Sequence, residues 1–225
     1  MDILETIRTR RSVRLFEDRA VAPSLLDLVL EAGQWAPSAC NIQGTKYVVV
    51  TDEERKEELI KAGVRKLRDT PVGIFVIYDN RSNNTEYLDH IQSGAASVQN
   101  MLLCAHALGL GAVWTCDLPP QRKMRKLLGV PWYYTIIALV RLGYPKFVPP
   151  PVERKYTLRQ ICSLERYEEV NTQSFRDARW YWLIRHLANR LYSIGLVRNS
   201  VLVFSRLFPR SVRDMVKSFL NRKFE

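Results

Sequence analysis

One long apolar stretch with helical spacing constrains this chain more than any other feature. Between about Tyr87 and Leu108, Ala95, Val98, Leu102 and Ala105 recur at intervals of three and four residues, and Gly94 and Ala96 keep the adjoining surface small. A helix apolar over so much of its surface belongs at the centre of a fold or against a partner. Gly109-Leu110-Gly111 ends it.

Strand-like segments surround that helix. Lys46–Thr51, Val72–Tyr78, Ala112–Cys116 and Tyr133–Leu142 are rich in β-branched and aromatic residues, as buried strands are. Helices are expected between them. Asp2 caps a short one carrying Ile3, Leu4 and Ile7 on one side, and Pro23-Ser24 opens another with Leu25, Leu28, Val29 and Ala32 on one face. Asp52 caps a charged helix running to about Arg68, and Pro119-Pro120 opens a basic one to Leu128. Interleaved elements of this kind make a layered α/β or α+β domain. Val148-Pro149-Pro150-Pro151 is stiff and extended, suited to carrying the chain across a surface.

The acids of Met1-Asp2-Ile3-Leu4-Glu5 stand where an export signal needs basic residues, so a cytoplasmic protein is expected. Cys40, Cys104, Cys116 and Cys162 are scattered without a C-x-x-C pair, and three histidines are too few to complete a zinc pattern. The cysteines are expected to be small buried or half-buried thiols, and no metal is expected.

Four segments carry candidate chemistry. Arg10-Arg11-Ser12-Val13-Arg14 puts three guanidiniums and a hydroxyl at the junction of a helix and an extended segment, where Ser12 and Arg14 project on the same side. Guanidinium forks match phosphate oxygens, although such clusters are also common on solvated surfaces. Ala36–Gln43 is a loop of small side chains in which Ser38, Asn41 and Gln43 offer polar atoms; it suits a polar ring edge or a plain connection. Gly109–Cys116 ends a strand where backbone N–H groups can face a ligand, with Trp114 either lining it or filling core. Arg154-Lys155 follows the proline crossing and brings further positive charge.

In this order and at these separations the segments resemble the nitroreductase family of FMN-dependent flavoproteins, which includes iodotyrosine deiodinase. The resemblance rests on RRSVR, APSACNIQ, GAASVQNMLLCAHALGLGAVW, and LGYP followed by ERKYTL, and covers residues 1 to about 162. It implies a three-layer α/β/α domain over residues 1–165, with a mixed, mainly antiparallel sheet flanked by helices, in an intertwined homodimer holding FMN at its interface. It also implies that Arg10, Arg11, Ser12, Val13, Arg14 and Arg154 hold the phosphate and the ribityl or pyrimidine oxygens. Pro37, Ser38 and Asn41 come from the other subunit, and Trp114, Thr115 and Cys116 lie along the flavin ring.

The flavin carries the chemistry, so no catalytic side chain is expected. The implied reaction is ping-pong: NAD(P)H passes hydride to N5, and a small aromatic, quinone or nitro compound then takes it. Arg14 or Lys46 is the candidate for stabilising the reduced ring. Gly44-Thr45 and Asp117 depart from the family pattern, and no long insertion between Tyr78 and Gly94 supplies a lid, which favours a general reductase over a deiodinase.

Residues 166–225 stand apart as a basic extension. Residues 171–225 carry eleven basic side chains against three acidic, +8 of the chain's net +11. Trp180, Ile184, Leu187, Leu191 and Ile194 form one helical stripe, and Val212, Met215, Val216, Phe219 and Leu220 another. Such amphipathic helices can wrap the dimer, or dock on an anionic membrane or a protein partner. The membrane option would place the protein at a membrane's inner face, as a flavin module recruited there. Nucleic acid is not expected, because no binding motif is present.

Overall fold

The computed structural model describes residues 2–81, 84, 86–150 and 152–167. The stripes read in residues 171–225 lie outside the described residues. The chain divides into two compact units, Met1–Glu153 and Arg154–Glu225.

The first unit is built on a four-stranded sheet of β1 (Thr45–Val50), β2 (Val72–Asp79), β3 (Gly111–Thr115) and β4 (Tyr134–Gly143). Its order is β1-β2-β4-β3 and every pairing of these strands is antiparallel. The parallel contribution comes from the N-terminal segment, where Ser12 bridges Ala112 and the Val13 N–H donates to the Ala112 carbonyl at 3.1 Å.

Among the described residues five α-helices belong to this unit: α1 (Ile3–Thr9), α2 (Pro23–Gln34), α3 (Glu53–Lys61), α4 (Asp89–Ala107) and α5 (Gln121–Leu128). Alternation along the strands divides the core between two faces. On one, Ile74, Val76, Ala138, Val140 and Leu142 pack with Val29 of α2 and Val98, Met101 and Ala105 of α4. On the other, Phe75, Ile77 and Leu139 pack with Leu59 of α3, Leu67, and Met124 of α5. The result is three layers, with α4 central as its apolar spacing requires. A Cβ on Gly94 would fall 2.6 Å from Ile137 Cγ1, which shows how closely α4 approaches β4.

Local chemistry sets the helix ends. Asp2 Oδ1 accepts from the Leu4 N–H at 2.7 Å, and Asp52 Oδ1 from the Arg55 N–H at 2.8 Å, satisfying amides that first turns leave open. α3 is shorter than its charge pattern predicts. Gly63 at φ +107° breaks it, and the chain continues as a 3₁₀ turn at Arg65–Leu67. α2 is rotated from the expected face: Val29 and Gly33 are buried, whereas Leu28 is 45% exposed.

The cysteines also differ from expectation, since Cys40, Cys116 and Cys162 are exposed and only Cys104 is partly covered. In the second unit, Thr157 caps α6 (Leu158–Ile161), and the Thr157 N–H donates to Gln160 Oε1 at 2.8 Å.

Candidate functional site

The basic segment begins where α1 meets the end of α4. Thr9 Oγ1 donates to the Glu5 carbonyl at 2.7 Å and lies 2.8 Å from His106 Nε2. The single hydroxyl proton is thereby used, which makes the imidazole Nε2–H the donor to Thr9. Burial, and then the charges of Arg10 and Arg11, hold His106 below the usual imidazole pKa.

Arg11 is committed largely to the backbone. Its Nε donates to the Pro150 carbonyl at 3.2 Å and its Nη1 to those of Arg8 and Arg10 at 3.2 and 2.9 Å, tying the end of α1 to the proline crossing. Arg10 caps α1 and is partly buried. Val13 packs with Phe16 and Val113, and its N–H is already bonded to β3, so only its carbonyl is left for a ligand. Arg14 is exposed, its Nη1 3.4 Å from the Ser12 carbonyl. Neither Arg11 nor Arg14 pairs with a carboxylate among the described residues.

β3 ends beside this segment. Thr115 is buried, Trp114 is partly buried, and Cys116 is exposed, with Trp114 Nε1–H donating to Cys116 Sγ at 3.0 Å. Asp117, whose carboxylate departs from the expected pattern, turns toward Lys66 at 3.9 Å. The guanidiniums of Arg10, Arg11 and Arg14 present positive charge beside this strand.

The polar loop lies elsewhere in the same chain. It contains a 3₁₀ turn at Ala39–Asn41 and is held by the Ala39 N–H donating to Ser93 Oγ at 3.1 Å, near the beginning of α4. Ser38 Oγ accepts from the Gln43 N–H at 2.9 Å, and Gln43 Nε2 donates to Asn41 Oδ1 at 2.9 Å. Cys40, Asn41 and Gln43 have φ of +50°, +55° and +52°, left-handed values that cost non-glycine residues energy. Pro37 leads into this turn from the end of α2.

Ser93 and His106 are separated along α4 by about 20 Å at ~1.5 Å rise per residue. The loop and the basic segment therefore occupy opposite ends of one helix. Lys46 goes with the loop rather than with Arg14: it is exposed on β1, the strand at the opposite edge of the sheet from β3. Arg154 is exposed and begins the second unit.

Two residues near the basic segment escape a reading of motifs. His106 was signalled only by its position three residues before Gly109, at a helix end. Arg141 was signalled by being the one charge within Tyr134–Gly143; it is 8% exposed, and its Nε lacks a hydrogen-bond partner.

Comparison with known proteins agrees with this architecture. A family model described as the nitroreductase family matches residues 7–66 and 61–144. A protein of Methanothermobacter thermautotrophicus named NADH dehydrogenase/NAD(P)H nitroreductase is 35% identical over 150 residues, 64% of this chain and 78% of that protein. Among solved structures, an NADH dehydrogenase/NAD(P)H nitroreductase of Parabacteroides distasonis is 31% identical, with a TM-score of 0.64 over 72% of this chain and 98% of that one. A nitroreductase of Desulfovibrio desulfuricans in complex with FMN is 32% identical, with a TM-score of 0.63 over 75% of this chain and 99% of that one.

Proposed function

The chain belongs to the nitroreductase family, and from that premise we propose that it is an FMN-dependent NAD(P)H oxidoreductase acting as a homodimer with a flavin at each of two shared seams. The observation that carries this reading is the separation of two half-sites along α4. The end near His106 offers guanidiniums and an open strand end; the end near Ser93 offers a strained polar loop. A second copy running antiparallel along α4 supplies to each basic segment the loop that its own chain holds too far away.

Exposed apolar surface supports the pairing. Ile3, Leu4 and Ile7 of α1 are 67%, 56% and 45% exposed, and Trp35 beside the loop is 79% exposed. Surface of this kind favours burial against another chain.

The donor set fits FMN. Arg11 and Arg14 bring charge that no described carboxylate neutralises, as a phosphate and electron-rich ring oxygens require. In this reading Arg10, Arg11 and Ser12 hold the phosphate, the Val13 carbonyl and Arg14 face the ribityl and pyrimidine oxygens, and Trp114, Thr115 and Cys116 flank the ring. Pro37, Ser38 and Asn41 close the site from the second copy.

Bound FMN would supply the redox chemistry, hydride transfer from NAD(P)H to a small aromatic, quinone or nitro compound in two half-reactions, and this chain's residues would hold and orient it. The protein's part is orientation and electrostatics. Arg14 concentrates positive charge where the ring gains negative charge, an interaction stronger in the reacting state than in the resting one. Asp117, drawn toward Lys66, has part of its charge offset before it acts on that space. Among the described residues no helix is long and apolar enough to cross a membrane.

The absorption spectrum of purified protein tests the reading. A flavin spectrum, release of FMN on denaturation, and NAD(P)H oxidation driven by added nitroarene or quinone are expected. Colourless protein that fails to bind added FMN contradicts it.

A further inference from the structure

Arg141 stands among apolar neighbours on β4, opposite Gly73 of β2 and Val113 of β3. Val113 is the residue against which Val13 and Phe16 pack, so the guanidinium lies under the segment Ser12–Phe16, from which Arg14 emerges. Its Cζ is 5.9 Å from the centre of the Phe16 ring, a cation–π distance. The residue is 8% exposed, its Nε is buried without a hydrogen-bond partner, and no carboxylate among the described residues pairs with it.

A buried, permanently protonated group with no counter-charge is costly to keep. Burial first, and then the charge of Arg14, push its pKa down. Two guanidiniums thus face a common region without an acid between them. Arg14 is the exposed partner, whereas Arg141 lies against Phe16 within the sheet. Negative charge arriving beside Arg14 relieves both.

We propose that Arg141 is a positioning residue for the flavin site: its buried guanidinium, lodged under Phe16, keeps Arg14 turned outward and makes the site favour reduced over oxidised FMN. The proposal rests on the reading that Arg14 faces the flavin. It assigns Arg141 no contact with substrate and no proton transfer. Because Arg141 is buried, its influence is screened by salt less than that of a surface arginine.

The test is the midpoint potential of bound FMN in wild type, Arg141→Met, Arg141→Gln and Arg141→Lys, together with the affinity for oxidised FMN. The neutral variants are expected to lose about tenfold of the preference for reduced flavin, a fall of about 30 mV for a two-electron couple. Oxidised FMN should still bind within about threefold of wild type, and Arg141→Lys should retain most of the potential. This pattern should persist in high salt. A role in folding alone would change thermal stability and leave the potential where it was, and that result overturns the proposal.

If neither neutral variant folds, the Nε–H resonance missing from the Arg141→Lys spectrum is followed in the wild-type holoprotein. Its movement on flavin reduction supports the proposal, and its constancy rejects it. Failure of wild type to bind FMN at all overturns the reading of the site itself, and this proposal with it.

Discussion

The two ends of α4 are held to the rest of the chain in different ways and carry different chemistry. Near His106 the contacts run to α1 and onward to Arg10 and Arg11, and the neighbourhood is cationic. Near Ser93 the Ala39 N–H donates to the Ser93 hydroxyl, and the neighbourhood is a neutral loop with three left-handed residues. One end stores unneutralised charge and the other stores backbone strain. In the proposed reading neither end is a complete site and a second copy of the chain is needed: charge anchors a cofactor, shape orients it, and about 20 Å of helix separates them.

The largest effect is expected at the charged end. Arg10→Ala with Arg14→Ala should weaken FMN binding by two orders of magnitude or more, since hydrogen bonds to charged groups contribute about 1.5–3 kcal/mol each. Circular dichroism should remain that of folded protein. Quenching of FMN fluorescence on titration measures the affinity, and near-normal quenching would remove these arginines from the site.

Two glycines at this end sharpen the point. A Cβ on Gly111 would fall 2.9 Å from Val13 Cβ, so Gly111→Ala should lever the basic segment off β3, costing about 1–3 kcal/mol of stability and about tenfold in FMN affinity. Gly109 at φ +76° has nothing within 4 Å of its added Cβ. Gly109→Ala should therefore cost only about 1–2 kcal/mol of backbone strain and leave FMN affinity unchanged. Denaturation and titration on the same samples separate the two.

At the loop end the expected loss is smaller. Ser38→Ala removes the acceptor for the Gln43 N–H, a bond of about 1 kcal/mol, and should weaken FMN about three- to tenfold in titration without altering dimer mass in light scattering. A larger loss than from the double arginine variant would invert the comparison.

The smallest effect concerns protons. His90 and His106 both have pKa values lowered from 6.5, chiefly by burial. The unfolded chain therefore binds protons first, so their contribution to stability is fully present above about pH 6.5 and is lost as pH falls below it. His106→Gln should flatten this loss in urea melts of the protein without FMN. Bound phosphate offsets the charges of Arg10 and Arg11, so the same substitution should matter less in the FMN-loaded protein. His90, at the loop end, should show no such dependence on FMN.

Much of the layered architecture was legible because its causes are local. Asp2 and Asp52 cap the helices they were expected to cap, and β-branched runs became strands within a residue of their expected bounds. The exceptions are equally physical. Gly63 ended α3 where charge patterning continued, and Leu28 lies outside the core because the packing of α2 on α4 chose a neighbouring face.

The candidate site was legible as separate segments and not in the local geometry of each. RRSVR announced its charge, but nothing in residues 10–14 says that Arg11 would spend its donors on carbonyls or that the Val13 N–H would be taken by β3. Of the left-handed residues, Asn41 is of a type that favours such values, but Cys40 and Gln43 carry no local signal. Arg141 belongs to no motif; its one signal is a lone charge in an apolar strand.

Mixing two defective chains tests the shared seam most directly. One carries Arg10→Ala with Arg14→Ala, and the other carries Ser38→Trp to block the loop; differently tagged, they are co-expressed and the mixed dimer is purified. Each parent homodimer should bind no FMN, while the mixed dimer should bind one FMN per two chains, because one of its seams joins an intact basic segment to an intact loop. A mixed dimer as empty as its parents would mean that each chain builds its site alone, contrary to this account.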